Sequence, residues 1–256
     1  MKIGIAQTHI VSENEKLNLK TAKEYISEAA QKGCRMVLFC EMSFTGFDMR
    51  SEANLKSGEY ILELMKTAAV ENHIAVGFGW AKKVKDKFEN HYTIVDQDAS
   101  IVSDYVKIHP FSFGGEDKFF SGGEKIVLFR LDDIDFSTFI CYDLRFPEVF
   151  MEAATKAHVI LVPSCWPLKR DEHRKILLRA RAIENQVYIL GINCVNETAG
   201  IVYGGESCIV NPDGEVHFFG SDEGLYFAEI NDDVDRYREE FPVLKDRKAI
   251  ALKITP

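Results

Sequence analysis

The chain has 256 residues, 46% hydrophobic and 28% charged, with 7 Pro and 17 Gly, a composition that excludes disorder, collagen-like repeats and low complexity. Forty acidic against 31 basic side chains leave a formal charge of -9 without a long basic stripe, which argues against nucleic acid as a partner. No segment approaches the roughly 18 uninterrupted apolar residues of a membrane span, and Met1-Lys2 leads straight into an apolar run rather than a signal segment. The six cysteines form no C-x-x-C pair and lie in or beside apolar runs, so the expectation is a cytoplasmic protein with reduced, mostly buried thiols and no membrane contact.

In chain order, a strand is expected at 2–7, then an amphipathic helix at 14–31 with Leu17, Ala22, Ile26 and Ala29 on one face, stopped by Gly33. The compact apolar run 35–40 reads as a strand covered on both faces, which puts Glu41 at its carboxyl end. A helix at 59–72 and a strand at 74–80 repeat the order, and the charged segment 82–87 reads as a hairpin tip. Strands at 92–96 and 101–106 flank Asp98-Ala99-Ser100, with Lys107 at the end of the second. Gly114-Gly115 and Gly122-Gly123 mark a loop, and strands at 126–130 and 135–140 lead to Cys141. Pro147-Glu148 opens a helix to about 157, followed by a strand at 158–163, a helix at 169–186 and a strand at 187–193. The segment 201–230 reads as hairpins with a turn at Asn211-Pro212-Asp213-Gly214, and a short helix is expected near 232–240. No linker-like shift in composition appears, so residues 1–256 read as a single domain.

Cys141 is the most informative residue, because a strand-to-turn-to-helix junction lets a nucleophile project into the crevice at the carboxyl end of a sheet. A thiol needs a base and a nearby cation to become a useful nucleophile, and Glu41 and Lys107 stand at similar strand ends. The seven histidines are dispersed without an H-E-x-x-H cluster, and no phosphate-binding glycine loop follows a strand, so no metal and no cofactor are expected.

The segments 39–47, 105–111 and 139–148, which carry Glu41, Lys107 and Cys141, resemble in order and spacing the three motifs of the nitrilase superfamily of carbon-nitrogen hydrolases. The resemblance extends through 179–186 and 211–215 and is greatest to the amidase branch, toward bacterial ω-amidase-like members. It implies a four-layer α-β-β-α sandwich of α/β class, dimerising through the helices after the nucleophile into an eight-layer core. It also implies Glu41 as general base, Lys107 as electrostatic stabiliser and Cys141 as nucleophile. A second glutamate seven residues before a glycine matches Glu116 with Gly123, with Glu124 as its neighbouring alternative.

The expected substrate is a small carboxylate-bearing amide, hydrolysed with water to an acid and ammonia, such as the ω-amide of a 2-oxo dicarboxylic acid. Tyr142 offers its backbone N–H to the oxyanion, Arg145 either grips a substrate carboxylate or pairs with Asp143 or Glu148, and Trp166 either walls the pocket or packs in the core. Tyr142-Asp143 follows the cysteine where nitrile-hydrolysing members usually carry Trp-Glu, which favours amide over nitrile chemistry. N-carbamoyl amino acids and deaminated glutathione are the alternative substrates. Two other readings compete: a Cys-His acyl hydrolase using His109 or His158 as base, and a catalytically silent dimeric module.

Overall fold

Glu41, Lys107 and Cys141 all follow strands, so the strand order decides whether they meet. A computed structural model describes residues 1–48, 58–231 and 233–248. The chain runs through β1 (Lys2–Gln7), α1 (Glu15–Gln31), β2 (Met36–Leu38), α2 (Gly58–Asn72), β3 (Ala75–Val84), β4 (Lys87–Val95) and β5 (Ile101–Val106). A short helix α3 (Glu116–Phe119) and β6 (Phe120–Ser121) precede β7 (Leu128–Leu131) and β8 (Ile134–Thr138). After a 3₁₀ turn at Cys141–Arg145 come α4 (Pro147–Ala153), β9 (Val159–Ser164), α5 (Asp171–Asn185) and β10 (Tyr188–Asn193). The last elements are β11 (Val195–Thr198), β12 (Ile201–Gly204), β13 (Cys208–Val210), β14 (Val216–Phe218), β15 (Gly224–Glu229) and α6 (Val234–Glu240).

One sheet has the order β15-β1-β2-β3-β4-β5, with β6 beside β4, and the other the order β14-β13-β10-β9-β8-β7; β11 and β12 form a separate hairpin. β1, β2 and β3 are mutually parallel, as are β8, β9 and β10, so each sheet gathers several carboxyl ends at one edge. Period-2 alternation sorts the side chains. Ile3, Ile5, Met36 and Leu38 join Phe136, Phe139, Leu161 and Ile189 in the core between the sheets. Val37, Phe39, Val76 and Phe78 face the opposite way and pack with Ile26, Ile61 and Met65 of α1 and α2. On the second sheet, Phe150 and Ala153 of α4 and Leu178 and Ala182 of α5 are buried against the strands. The result is the expected four-layer α-β-β-α sandwich.

Several local expectations need correction. Leu17 is 42% exposed, and the buried stripe of α1 runs through Leu19, Ala22, Ile26 and Ala29, one helical face at spacings of three and four. The Asn14 side chain caps this helix by accepting from Leu17 N–H, and Gly33, at φ +74, follows its end. The apolar run 35–40 contributes only Met36–Leu38 to the ladder, although Phe39 N–H still donates to Gly77 O at 2.8 Å. The loop expected from Gly114-Gly115 and Gly122-Gly123 contains α3 and β6, too short for a periodic signal. The helix after Pro147 ends at Ala153, and its next residues form turns. Position 232, where the last helix was expected to begin, lies outside the described residues, and that helix starts at Val234. The pairing of β15 with β1, which returns the chain to its first strand, has no local signature.

Candidate active site

Four strand ends converge. β2 delivers Glu41, β5 delivers Lys107, β8 delivers Cys141 and β9 delivers Cys165, with the first two on one sheet and the last two on the other. Lys107 Nζ donates to Glu41 Oε1 at 2.8 Å and to Glu116 Oε2 at 2.8 Å, and all three side chains are at most 1% exposed. Asn90, on β4, donates to Glu41 Oε1 at 2.9 Å and to Glu116 Oε1 at 3.1 Å. The backbone N–H of Cys165 donates to Glu41 Oε2 at 2.9 Å. A buried ammonium is tolerated here because two carboxylates surround it, and they hold it well above the ordinary lysine range against the opposing effect of burial.

Glu116 also accepts from Phe111 N–H, which ties the 107–116 loop to the charge cluster. Glu124, the alternative second glutamate, is exposed. The pairing of Glu116 with Gly123 in the sequence therefore falls on the glutamate that the fold buries.

Cys141 opens a 3₁₀ turn at φ +46, a left-handed conformation that costs an ordinary residue about 1–3 kcal/mol and aims its side chain out of the strand line. Asp143 holds this turn. Its Oδ2 accepts from Ile140 N–H at 3.0 Å and Tyr105 OH at 2.8 Å, and its Oδ1 from His109 N–H at 2.9 Å. Arg181 of α5 adds a bond of 2.9 Å to Leu144 O. Burial, followed by the charge of Glu41, pushes the Cys141 thiol well above its ordinary value despite Lys107. Burial and the neighbouring Glu41 carboxylate therefore favour the protonated form of this thiol.

The thiol lies at the wall of a cavity of about 500 Å³ that Lys107, Tyr142, Arg145, Trp166, Arg170 and Tyr203 help to line. Arg145 sits 4.8 Å over the Trp166 ring and 6.0 Å from the Tyr142 ring, and its Nη2 is 3.5 Å from His173 Nδ1. Neither alternative partner takes it: Asp143 is bonded to Tyr105 and His109, and no Arg145–Glu148 ion pair occurs among the described residues. Trp166 is both 3% exposed and cavity-lining, with Nε1 donating to Arg170 O at 2.9 Å.

The two histidines have other work. His109 Nδ1 is 2.7 Å from Asp143 Oδ1 and its ring stacks on Phe146 at 3.8 Å. His158 sits at the amino end of β9, opposite the site, and pairs with Asp235 at 3.2 Å. Asn90, Cys165 and Arg170 were not found from the sequence; Asn90 carried the one available signal, a short polar side chain inside an otherwise strand-forming run.

A carbon-nitrogen hydrolase family model matches residues 2–239. A 2-oxoglutaramate amidase of Bacillus subtilis (strain 168) is 34% identical over 236 residues, 90% of each chain. An omega-amidase, YafV, of Yersinia enterocolitica is 28% identical over 250 residues, 96% of each chain. The solved structure of an amidase from Nesterenkonia sp. shares the fold with a TM-score of 0.87 at 23% identity, over 97% of this chain and 94% of that one. With the family model spanning nearly all of its length, this chain belongs to the carbon-nitrogen hydrolases, in the amidase branch of the nitrilase superfamily.

Proposed function

We propose that the protein hydrolyses the ω-amide of a small 2-oxo dicarboxylic acid, such as 2-oxoglutaramate, through a Cys141 thioester. The observation that carries this reading is the buried Glu41–Lys107–Glu116 cluster beside Cys141, at a cavity that also holds Arg145. The similarity to 2-oxoglutaramate amidase supports the choice of substrate.

In this mechanism the sulfur attacks the amide carbon as the thiol proton passes to Glu41, whose orientation is fixed by Asn90, Lys107 and the Cys165 N–H. The carbonyl oxygen becomes an oxyanion and accepts from Lys107 Nζ and the Tyr142 N–H, one of the first donors of the 3₁₀ turn and so without a partner inside it. Collapse breaks the C–N bond, and Glu41 returns the proton to the departing nitrogen, which leaves as ammonia. Water then attacks the thioester while Glu41 takes its proton, and the sulfur departs as the restored thiol. Glu116 positions Lys107, Arg145 receives the substrate carboxylate as a planar pair of donors, and Trp166 supports Arg145 from behind.

We assign residues 1–256 to one catalytic domain, since the cluster draws on both sheets. A homodimer through α4 and α5 is supported by their exposed Met151, Ile176 and Ile183, at 39%, 63% and 46% exposure. Light scattering on the purified chain tests this, with a dimer mass expected and a monomer mass contrary to it. A reducing cytoplasm is supported by six free cysteines.

A panel of 2-oxoglutaramate, deaminated glutathione, an N-carbamoyl amino acid and an aliphatic nitrile tests the substrate assignment. The largest kcat/KM is expected for 2-oxoglutaramate and none for the nitrile; absence of turnover of 2-oxoglutaramate would remove the assignment.

A further inference from the structure

Beside Glu41, three thiols face one another. Cys40 directly precedes Glu41, while Cys165 and Cys194 directly follow β9 and β10, whose ends pair in register at Ser164 and Asn193. Among the described residues, the Sγ atoms of Cys40, Cys165 and Cys194 form a group in which all lie within 4.8 Å of one another. All three residues are buried, and none is in a disulfide. Thr8 Oγ1 lies 4.0 Å from Cys40 Sγ, and Cys165 Sγ donates to Glu41 O at 3.1 Å.

We infer that Cys40, Cys165 and Cys194 form a binding site for a soft, thiophilic metal cation, whose occupation inhibits amide hydrolysis. The chemistry of the donor set selects the ion: three thiolates with no histidine and no water-exposed carboxylate favour ions of the Zn(II), Cd(II) and Cu(I) type over Mg(II) or Ca(II). Zinc–thiolate bonds of about 2.3 Å place neighbouring sulfurs about 4 Å apart, so the cluster needs to contract by less than about 1 Å. A ligated sulfur that carries a proton exchanges its S–H bond for a metal–sulfur bond and releases that proton to solvent, a change that the ion's charge drives inside the apolar surroundings. Cys165 also lines the cavity, which gives a cation a way in.

Inhibition follows from the backbone and rests on the catalytic reading of Glu41. Cys40 is joined to Glu41 by a peptide bond, and the Cys165 N–H holds Glu41 Oε2 at 2.9 Å. Drawing the two sulfurs onto one ion shifts both supports of the base.

Binding is tested on the full-length Cys141→Ala chain, so that the nucleophile supplies no sulfur, with Cd(II) as the probe. A thiolate-to-metal charge-transfer band that saturates at one cadmium per chain is expected. The band should be lost when Cys194→Ala is added, and likewise when Cys40→Ala is added in a separate variant. Absence of the band, or its persistence in both variants, would overturn the site. Inhibition is tested separately by comparing Cd(II) with the otherwise wild-type chain and with Cys194→Ala. Weaker inhibition of the variant is expected, whereas equal inhibition would overturn the inhibitory role. Because the binding experiment reads no turnover, its failure is distinct from a failure of the amidase assignment.

Discussion

Lys107 is the residue whose environment constrains the chemistry most. Among the described residues its ammonium is the one cation bonded to two fully buried carboxylates, so removing it leaves like charges confined together. Lys107→Met is expected to cost about 3–5 kcal/mol in urea unfolding and to lower kcat at least about 100-fold, because it deletes both a charge partner and an oxyanion donor. Normal stability in this variant would show that the cluster is not held together by its charges. Asp143 is a second test. Its carboxylate serves Ile140 N–H, Tyr105, and both His109 N–H and Nδ1, so Asp143→Asn turns an all-acceptor group into one with a donor facing donors. A loss of about 1–3 kcal/mol is expected, with a fall in kcat from a loosened Cys141 turn. At this scale the sequence was most legible where residues sit at strand ends: Glu41, Lys107 and Cys141 could each be placed by the apolar run before them. Asn90 could not, since its value comes from the two carboxylates that the fold brings to its amide. Nor could the thiol group, because Cys40 stands far along the chain from Cys165 and Cys194 and only folding brings the three together.

At the scale of elements, β3 and the turn after β2 fit against each other with no spare room. A Cβ on Gly79 would stand 2.5 Å from Met42 N and 2.9 Å from both Glu41 C and Glu41 Cα. These are backbone atoms and cannot swing aside, so Gly79→Ala must displace the segment that carries the base. The expected outcome is a loss of activity larger than the loss of thermal stability, measured on the same preparation; full activity would mean that the Glu41 segment tolerates displacement. Periodicity made the helices and central strands readable, because their apolar residues recur at 3.6 or 2. It failed for α3 and β6, which are too short to show a period, and for Leu17, whose apolar side chain lies just off the buried stripe.

Across the whole molecule, burial holds many acidic protons in place. Cys208 is pushed up to about 11 by burial, Tyr25 and Tyr188 to about 12, and burial also holds Tyr92 and Tyr105 well above the ordinary tyrosine range. Below the ordinary thiol range both folded and unfolded chains keep these protons, so they do not affect stability. As pH rises past about 9 the unfolded chain loses protons that the folded chain retains, so unfolding is increasingly favoured. Cys40, lowered by its thiol neighbours, acts in the opposite direction, but its contribution is complete once the unfolded thiol has lost its proton near pH 9. Cys208 alone accounts for about 2 kcal/mol of this loss by pH 11. Thermal unfolding under reducing conditions should therefore show Tm falling continuously from about pH 9 to 11, and a level or rising Tm would contradict the assigned burial. The layer order was legible at this scale only through motif resemblance, because the return of β15 to β1 joins chain ends that no local pattern connects. The central claim, amide hydrolysis through a Cys141 thioester, is tested most directly by acid-quenched intact-mass analysis during turnover of 2-oxoglutaramate. The account requires an adduct equal to the substrate less ammonia, mapped to Cys141 and absent from Cys141→Ala; turnover by Cys141→Ala, or an adduct on another residue, would contradict it.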